Sequence, residues 1–145
     1  MKGDRKVIVI PCSGIGKAIA SVGREATYEV IENLRPGVSD TVCLSLLVMG
    51  DEKARSMVRE NPTITIDGCP KDCSSKNVEL AGGKEGAHLR VIDVLKEHKD
   101  LKPKSVIDIG EEGMKLARIL GEEVAKKVDE LVEEGVKGSR GQGFE

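Results

Sequence analysis

Aromatic side chains are almost missing from this chain: 145 residues include one Tyr, one Phe and no Trp. Single-stranded nucleic acids are commonly gripped by stacking bases on aromatic platforms, and phosphate backbones by a surplus of Lys and Arg. With 1% aromatics and a formal net charge of -2, the chain has neither feature, and nucleic acid is not an expected partner. Histidine is nearly as scarce. His88 and His98 are the only two, neither is near a cysteine in sequence, and a lone His is more often surface or packing than ligand or base. General acid–base equipment is therefore thin, which disfavours hydrolysis. No stretch approaches the roughly 20 apolar residues needed to cross a bilayer. The apolar run in "KVIVIPC" is short, stops at Pro11 and Cys12, and does not resemble a signal peptide. A cytoplasmic setting is expected, where thiols stay reduced and cysteines more often serve metals or catalysis than disulfides.

What the chain does have is 39% hydrophobic and 33% charged residues, enough for one domain with an aliphatic core. The expected division is a single domain over 1–137 followed by a flexible Gly-rich tail over 138–145. "KVIVIPC" has the β-branched character of a buried strand. From Ile15, apolar residues recur at helical spacing through Ile19, Val22, Ala26, Val30 and Leu34, and stop at Pro36-Gly37. Gly23 lies in that stripe and implies a close packing contact. "DTVCLSLLVMG" is open between a strand and the approach to a helix over Asp51 to Arg59. "TITIDG" alternates as a strand does. "PKDCSSKNVELAGG" then reads as a helix with Pro70 at its first position and Cys69 as N-cap. "HLRVIDVL" is expected to be a strand and "SVIDIG" another short one. Ala117, Leu120, Val124, Val128 and Leu131 mark a C-terminal amphipathic helix, more plainly a cover for its own sheet than a surface for another subunit. Strands alternating with helices predict an α/β fold of three layers, a mostly parallel sheet with helices on both faces and right-handed crossovers.

In such sheets ligands bind at the carboxyl ends of the strands, and Cys12 and Cys69 both fall where a strand hands over to a helix. If Cys69 caps the helix, Cys73 stands one turn on, with Cβ atoms roughly 5–6 Å apart. That spacing suits the roughly 3.8 Å between sulfurs on a tetrahedral zinc with Zn–S bonds of about 2.3 Å. It suits a disulfide less well, since Cβ atoms about 3.8 Å apart would strain a regular turn. Around Cys12, Ser13 and the glycines Gly14 and Gly16 let backbone approach a ligand, and Lys17, Lys71 and Lys76 are available to offset thiolate charge, although most lysines are solvated surface. Asp67 and Gly68 complete the setting of Cys69. Cys43, inside "VCLSLLVM", is as open to a core role as to ligation. A phosphate-binding P-loop would need Gly at Pro11 and Ser or Thr at Ala18. A dinucleotide fingerprint needs a small residue at Ile19, a cysteine phosphatase an Arg at Ala18, and a thioredoxin-type pair two intervening residues where "CPKDC" has three.

"PCSGIGK" after the first strand, Cys43 followed by Leu44, and "DGCPKDCSSK" together resemble the DGC-domain family, small prokaryotic proteins to which zinc binding is ascribed. The likeness covers roughly the first half of the chain and, less distinctly, the strand near "HLRVIDV", while "KEHKDLKPKSVIDIG" is longer than the family's continuation. It implies that Cys12, Cys43, Cys69 and Cys73 are the family's cysteines and that Asp67, Gly68 and Cys69 are its naming triplet. No reaction comes with it. Three functional expectations follow. One is a closed four-cysteine zinc site of structural, sensing or metal-handling role. Another is a zinc enzyme with three cysteines and an open position, helped by Lys17 or Asp67. The runner-up is an iron–sulfur, sulfur-transfer or thiol redox protein.

Overall fold

The structure, a computed structural model, describes residues 6–14 and 16–143, with the side chains beyond 135 outside that description. Ile15, at the head of the first helical stripe, and residues 144–145 of the expected tail also lie outside it. Four strands, β1 (Val7–Pro11), β2 (Ser39–Asp40), β3 (Thr63–Asp67) and β4 (Glu85–Arg90), form one sheet in the order β2-β1-β3-β4, and every pairing is parallel. Among the described residues, six α-helices connect and follow them: α1 (Ala18–Glu29), α2 (Leu44–Met49), α3 (Glu52–Glu60), α4 (Cys73–Leu80), α5 (Val91–Glu97) and α6 (Gly110–Gly143). The chain is an α/β protein of three layers.

The period-2 alternation of a strand decides the layering. Val7 and Val9 of β1 face one side with Ile64 and Ile66 of β3, and there meet Val22 and Ala26 of α1, Val91 and Val94 of α5, and Leu116, Leu120, Val124 and Val128 of α6. Ile8 and Ile10 face the other side and meet Leu44 and Leu47 of α2, Ala54 and Val58 of α3, and Val78 of α4. With aromatic rings almost absent from the chain, the core is built from aliphatics. Each fully buried Leu or Val contributes about 1.5–3 kcal/mol by leaving water. A Cβ on Gly23 would come within 3.2 Å of Ile66 Cγ2, the close contact its sequence position implied. After α1 the helix widens over Val30–Leu34, where Arg35 N–H reaches Val30 O at 2.7 Å, five residues back, before the chain turns at Pro36-Gly37.

Three local expectations are corrected and one open segment is settled. Helix α4 begins at Cys73, not Pro70, because residues 69–72 form a turn: Asp72 N–H reaches Cys69 O at 3.4 Å and Asp72 takes the left-handed conformation at φ 55°. Pro70 thereby occupies the second position of a turn, which its fixed φ suits as well as a first helical turn. In "HLRVIDVL" the strand ends at Arg90 and α5 starts at Val91, since Val91 and Val94 gain more by folding back onto the core than their β-branching loses in a helix. "SVIDIG" is not a strand. Ser105 and Asp108 spend their polar groups on each other, Ser105 N–H on Asp108 O at 2.8 Å and Asp108 N–H on Ser105 Oγ at 3.0 Å, and the result is a tight loop. "DTVCLSLLVMG" resolves into the short β2, an extended Cys43 and α2.

Candidate functional site

The strand order creates a crevice. β1 and β3 are neighbours, yet β1 is followed by α1 on one face and β3 by α4 on the other, so their outgoing loops part at the carboxyl edge. Cys12 follows the end of β1 and Cys69 follows β3 by two residues. Between the loops lies a pocket of about 160 Å³ lined by Cys12, Gly14, Lys17, Ala20, Asp67, Gly68, Cys69, Lys71, Asp72 and Cys73. Of the sequence-predicted residues, Ser13, Gly16, Cys43 and Lys76 lie outside that lining. Cys43 sits exposed at the head of α2, beyond the end of β2.

The triplet Asp67-Gly68-Cys69 divides the local work by position. Asp67 is 1% exposed, and its carboxylate accepts Ser74 N–H at 2.8 Å and Ser75 N–H at 3.2 Å, the two donors that a capping side chain normally satisfies. The cap of α4 thus comes from the preceding strand. Gly68 lies against α1: a Cβ there would stand 3.3 Å from Ala20 N and from Ile19 Cγ1. Its N–H donates to Cys12 Sγ at 3.3 Å, and its carbonyl accepts Ile92 N–H at 3.2 Å. Gly14, at φ 44°, is tighter still, with a Cβ position 1.9 Å from Ala20 Cβ and 3.4 Å from Cys12 Sγ. Lys17 Nζ lies 3.7 Å from Cys69 Sγ, placing a cation beside a sulfur. Burial pushes the Cys12 thiol above its ordinary value, the Gly68 N–H pulls it down, and Asp67, Cys73 and Cys69 add to the rise.

His88, expected from sequence to be surface or packing, lies beside Asp67 and Asp72 of the pocket lining. β4 runs beside β3 with Thr65 opposite His88 and Asp67 opposite Arg90, so both side chains share the face of Asp67. His88 Nε2 lies 3.0 Å from Asp67 Oδ2 and 3.4 Å from Asp72 Oδ1. Arg90 donates to both oxygens of Asp72, from Nε at 2.8 Å and from Nη2. That hydrogen bonding holds the Asp72 carboxyl below the usual carboxylate range and raises Arg90 in return. Ser74, a polar neighbour of Cys73 in sequence, donates its Oγ–H to Ile10 O at 2.8 Å and ties α4 to β1. A period-2 reading of "HLR" beside "TID" was the available signal, since it puts residues 88 and 90 on one face.

Among the described residues, the group of three His, Cys, Asp or Glu side chains whose ligand atoms lie within 4.8 Å of one another is Asp67, Asp72 and His88. Cys12, Cys69 and Cys73 line the pocket, and no three cysteine sulfurs among the described residues reach that mutual proximity. The donor types nevertheless fit zinc: soft thiols at a polar rim, a cation beside one of them and backbone N–H facing another. A larger cleft of about 960 Å³ opens between α1 and the start of α6. It contains no cysteine, and its four cationic side chains, Arg24, Lys104, Lys115 and Arg118, face four anionic ones, Glu25, Asp108, Glu111 and Glu112. Cys12, Cys69 and Cys73 line the smaller pocket instead.

Fold and site together define a small parallel α/β protein with a thiol-lined pocket at the switch point of its sheet. The sequence matches the family model described as the DGC domain over residues 8–118, and the chain belongs to that family. No curated protein and no solved structure matches it. No helix among the described residues is long and apolar enough to cross a membrane.

Proposed function

We propose that this protein binds one zinc ion through its cysteines, with Cys12, Cys69 and Cys73 as the core of the ligand set and Cys43 as the fourth, in a structural, sensing or metal-handling role in the cytoplasm. The observation that carries the reading is the convergence of Cys12 and the sequence-distant Cys69/Cys73 turn on one pocket, with Lys17 beside a sulfur. Zinc is held by thiolates, so binding at Cys12 requires the loss of a proton that burial favours there. The side chains must also turn inward from their present spacing.

Elemental analysis and a visible spectrum on protein purified without oxygen or added metal test this directly, with the four single Cys→Ser variants alongside. About one zinc per chain, no colour, and loss of metal in each variant is the expected result. Full zinc retention in both Cys12→Ser and Cys69→Ser sinks the proposal. A second reading has one observation in its favour: Cys43 stands outside the pocket lining, which suits three cysteines and an open position for a small ligand. Zinc retained in Cys43→Ser alone selects it. Brown protein containing iron and sulfide selects a cluster instead.

A further inference from the structure

The turn bearing Cys69 and Cys73 is gripped at both ends from the neighbouring strand. Asp67 precedes Cys69 by two residues and meets His88, while Asp72 immediately precedes Cys73 and meets both Arg90 and His88. His88 and Arg90, two residues apart on β4, face the same side of the sheet and span the whole cysteine turn. Asp72 is the one described non-glycine residue at positive φ, a conformation glycine adopts more readily. Asp tolerates that conformation better than most side chains, but the backbone alone does not favour it over Gly. The side chain does, because its carboxylate is the anchor for a two-bond guanidinium contact that fixes direction as well as distance.

The same carboxylates and imidazole are close enough together to suggest a hard-cation site, but their oxygens already accept the N–H groups of Ser74, Ser75 and Arg90. We propose that His88 and Arg90 are positioning residues for the cysteine site: acting through Asp67 and Asp72, they set the spacing of Cys69 and Cys73 before any ion arrives. The clamp's contribution is preorganisation, which lowers the ordering that metal binding would otherwise require. This rests on the zinc reading above, and its test is built to fail separately from it.

The discriminating variant is Asp72→Gly, which keeps the left-handed backbone and removes the anchor. Zinc affinity, measured by competition with a chromogenic chelator, and zinc release, by stopped flow, are compared with the urea midpoint of the metal-free protein. Asp72→Gly is expected to keep or raise that midpoint while weakening zinc binding about tenfold or more through faster release. Arg90→Gln should weaken zinc similarly. Arg90→Lys should not restore it, since a single ammonium cannot make the paired contact. The double variant Asp72→Gly/Arg90→Gln should bind no worse than Asp72→Gly alone. Wild-type affinity in both single variants overturns the clamp and leaves the zinc reading intact. If the wild type takes no zinc, the zinc reading falls, and a dithiol-selective trivalent arsenical reads the clamp on the same proteins: slower capture in Asp72→Gly supports it, and equal capture overturns it.

Discussion

Replacing Asp67 by Asn isolates what the first residue of the triplet does for the fold. The carboxylate is 1% exposed and makes three polar contacts: Ser74 N–H at 2.8 Å, Ser75 N–H at 3.2 Å and His88 Nε2 at 3.0 Å. An Asn keeps the oxygen facing Ser74 but sets an NH2 donor where Oδ2 stood, opposite the Ser75 N–H. One charge-assisted hydrogen bond is worth about 1.5–3 kcal/mol, and loss of a helix cap about 0.5–2 kcal/mol. These overlap at Ser75, and the cost of burying a carboxylate is recovered in part, so the net loss should be about 2–4 kcal/mol. With a urea slope of about 2 kcal/mol/M, the midpoint should fall by about 1–2 M. The assay is equilibrium urea unfolding of metal-free protein followed by far-UV circular dichroism, with Asp67→Ala as a second point expected to cost at least as much. A change below about 0.5 kcal/mol in both variants would refute the assignment of the cap of α4 to this carboxylate, whatever the protein binds.

Three further outcomes follow from the same geometry. Gly14→Ala forces a Cβ to 1.9 Å from Ala20 Cβ at a φ of 44°, and should cost about 2–4 kcal/mol, read as a lower thermal midpoint; an unchanged midpoint would show that the Cys12 loop lies elsewhere. Leu120, fully buried between α6 and the sheet, should cost about 2–5 kcal/mol as Leu120→Ala, whereas Leu80→Ala, at an 82% exposed position, should stay within about 0.5 kcal/mol. The Arg35–Asp129 pair, joined by contacts of 2.7 and 2.8 Å between the end of the first helix and α6, holds the Asp129 carboxyl below its ordinary range. A depressed carboxylate stabilises the fold above its unfolded value near pH 4 and loses that contribution as pH falls through its lower folded value. Asp129→Asn should thus cost about 0.2–1 kcal/mol at pH 7, since the pair is exposed, and its difference from wild type should vanish in acid; a difference that grows in acid contradicts the sign.

The parts of this fold that can be read from sequence are those where hydrophobic period and packing agree. Val7–Pro11 and Thr63–Asp67 are short, β-branched and punctuated by Pro and Gly, while α1 and α6 repeat apolar residues at helical spacing, so strand, helix and covered face follow without tertiary information. The reading fails where a distant partner decides. Nothing near Cys69 announces that α4 is capped from Asp67, because the cap reaches across the turn, while Pro70 is equally at home in a turn and at a helix start. Val91-Ile92 has strand-like residues, and only contact with the α1–α6 layer makes it helical. His88 and Arg90 acquire their meaning from the β3–β4 register, which no local window contains.

That register also separates two roles that the triplet combines. Asp67 and Gly68 are fully accounted for by the fold: one caps a helix, the other allows α1 to approach and donates to a neighbouring sulfur. Their presence is therefore no argument for a metal. The thiols are what favour one, since neither the helix cap nor the glycine contact needs the sulfur of Cys69 or Cys73, and Cys73 is exposed where a purely packing cysteine would be buried. Three thiols lining one pocket at the carboxyl edge, one of them beside a lysine, are better suited to a soft ion than to the core. The carboxylates beneath them serve the scaffold that aims two of those thiols. On the zinc proposal, stability and metal content are therefore separable quantities, and a variant that changes one without the other shows which group it has touched.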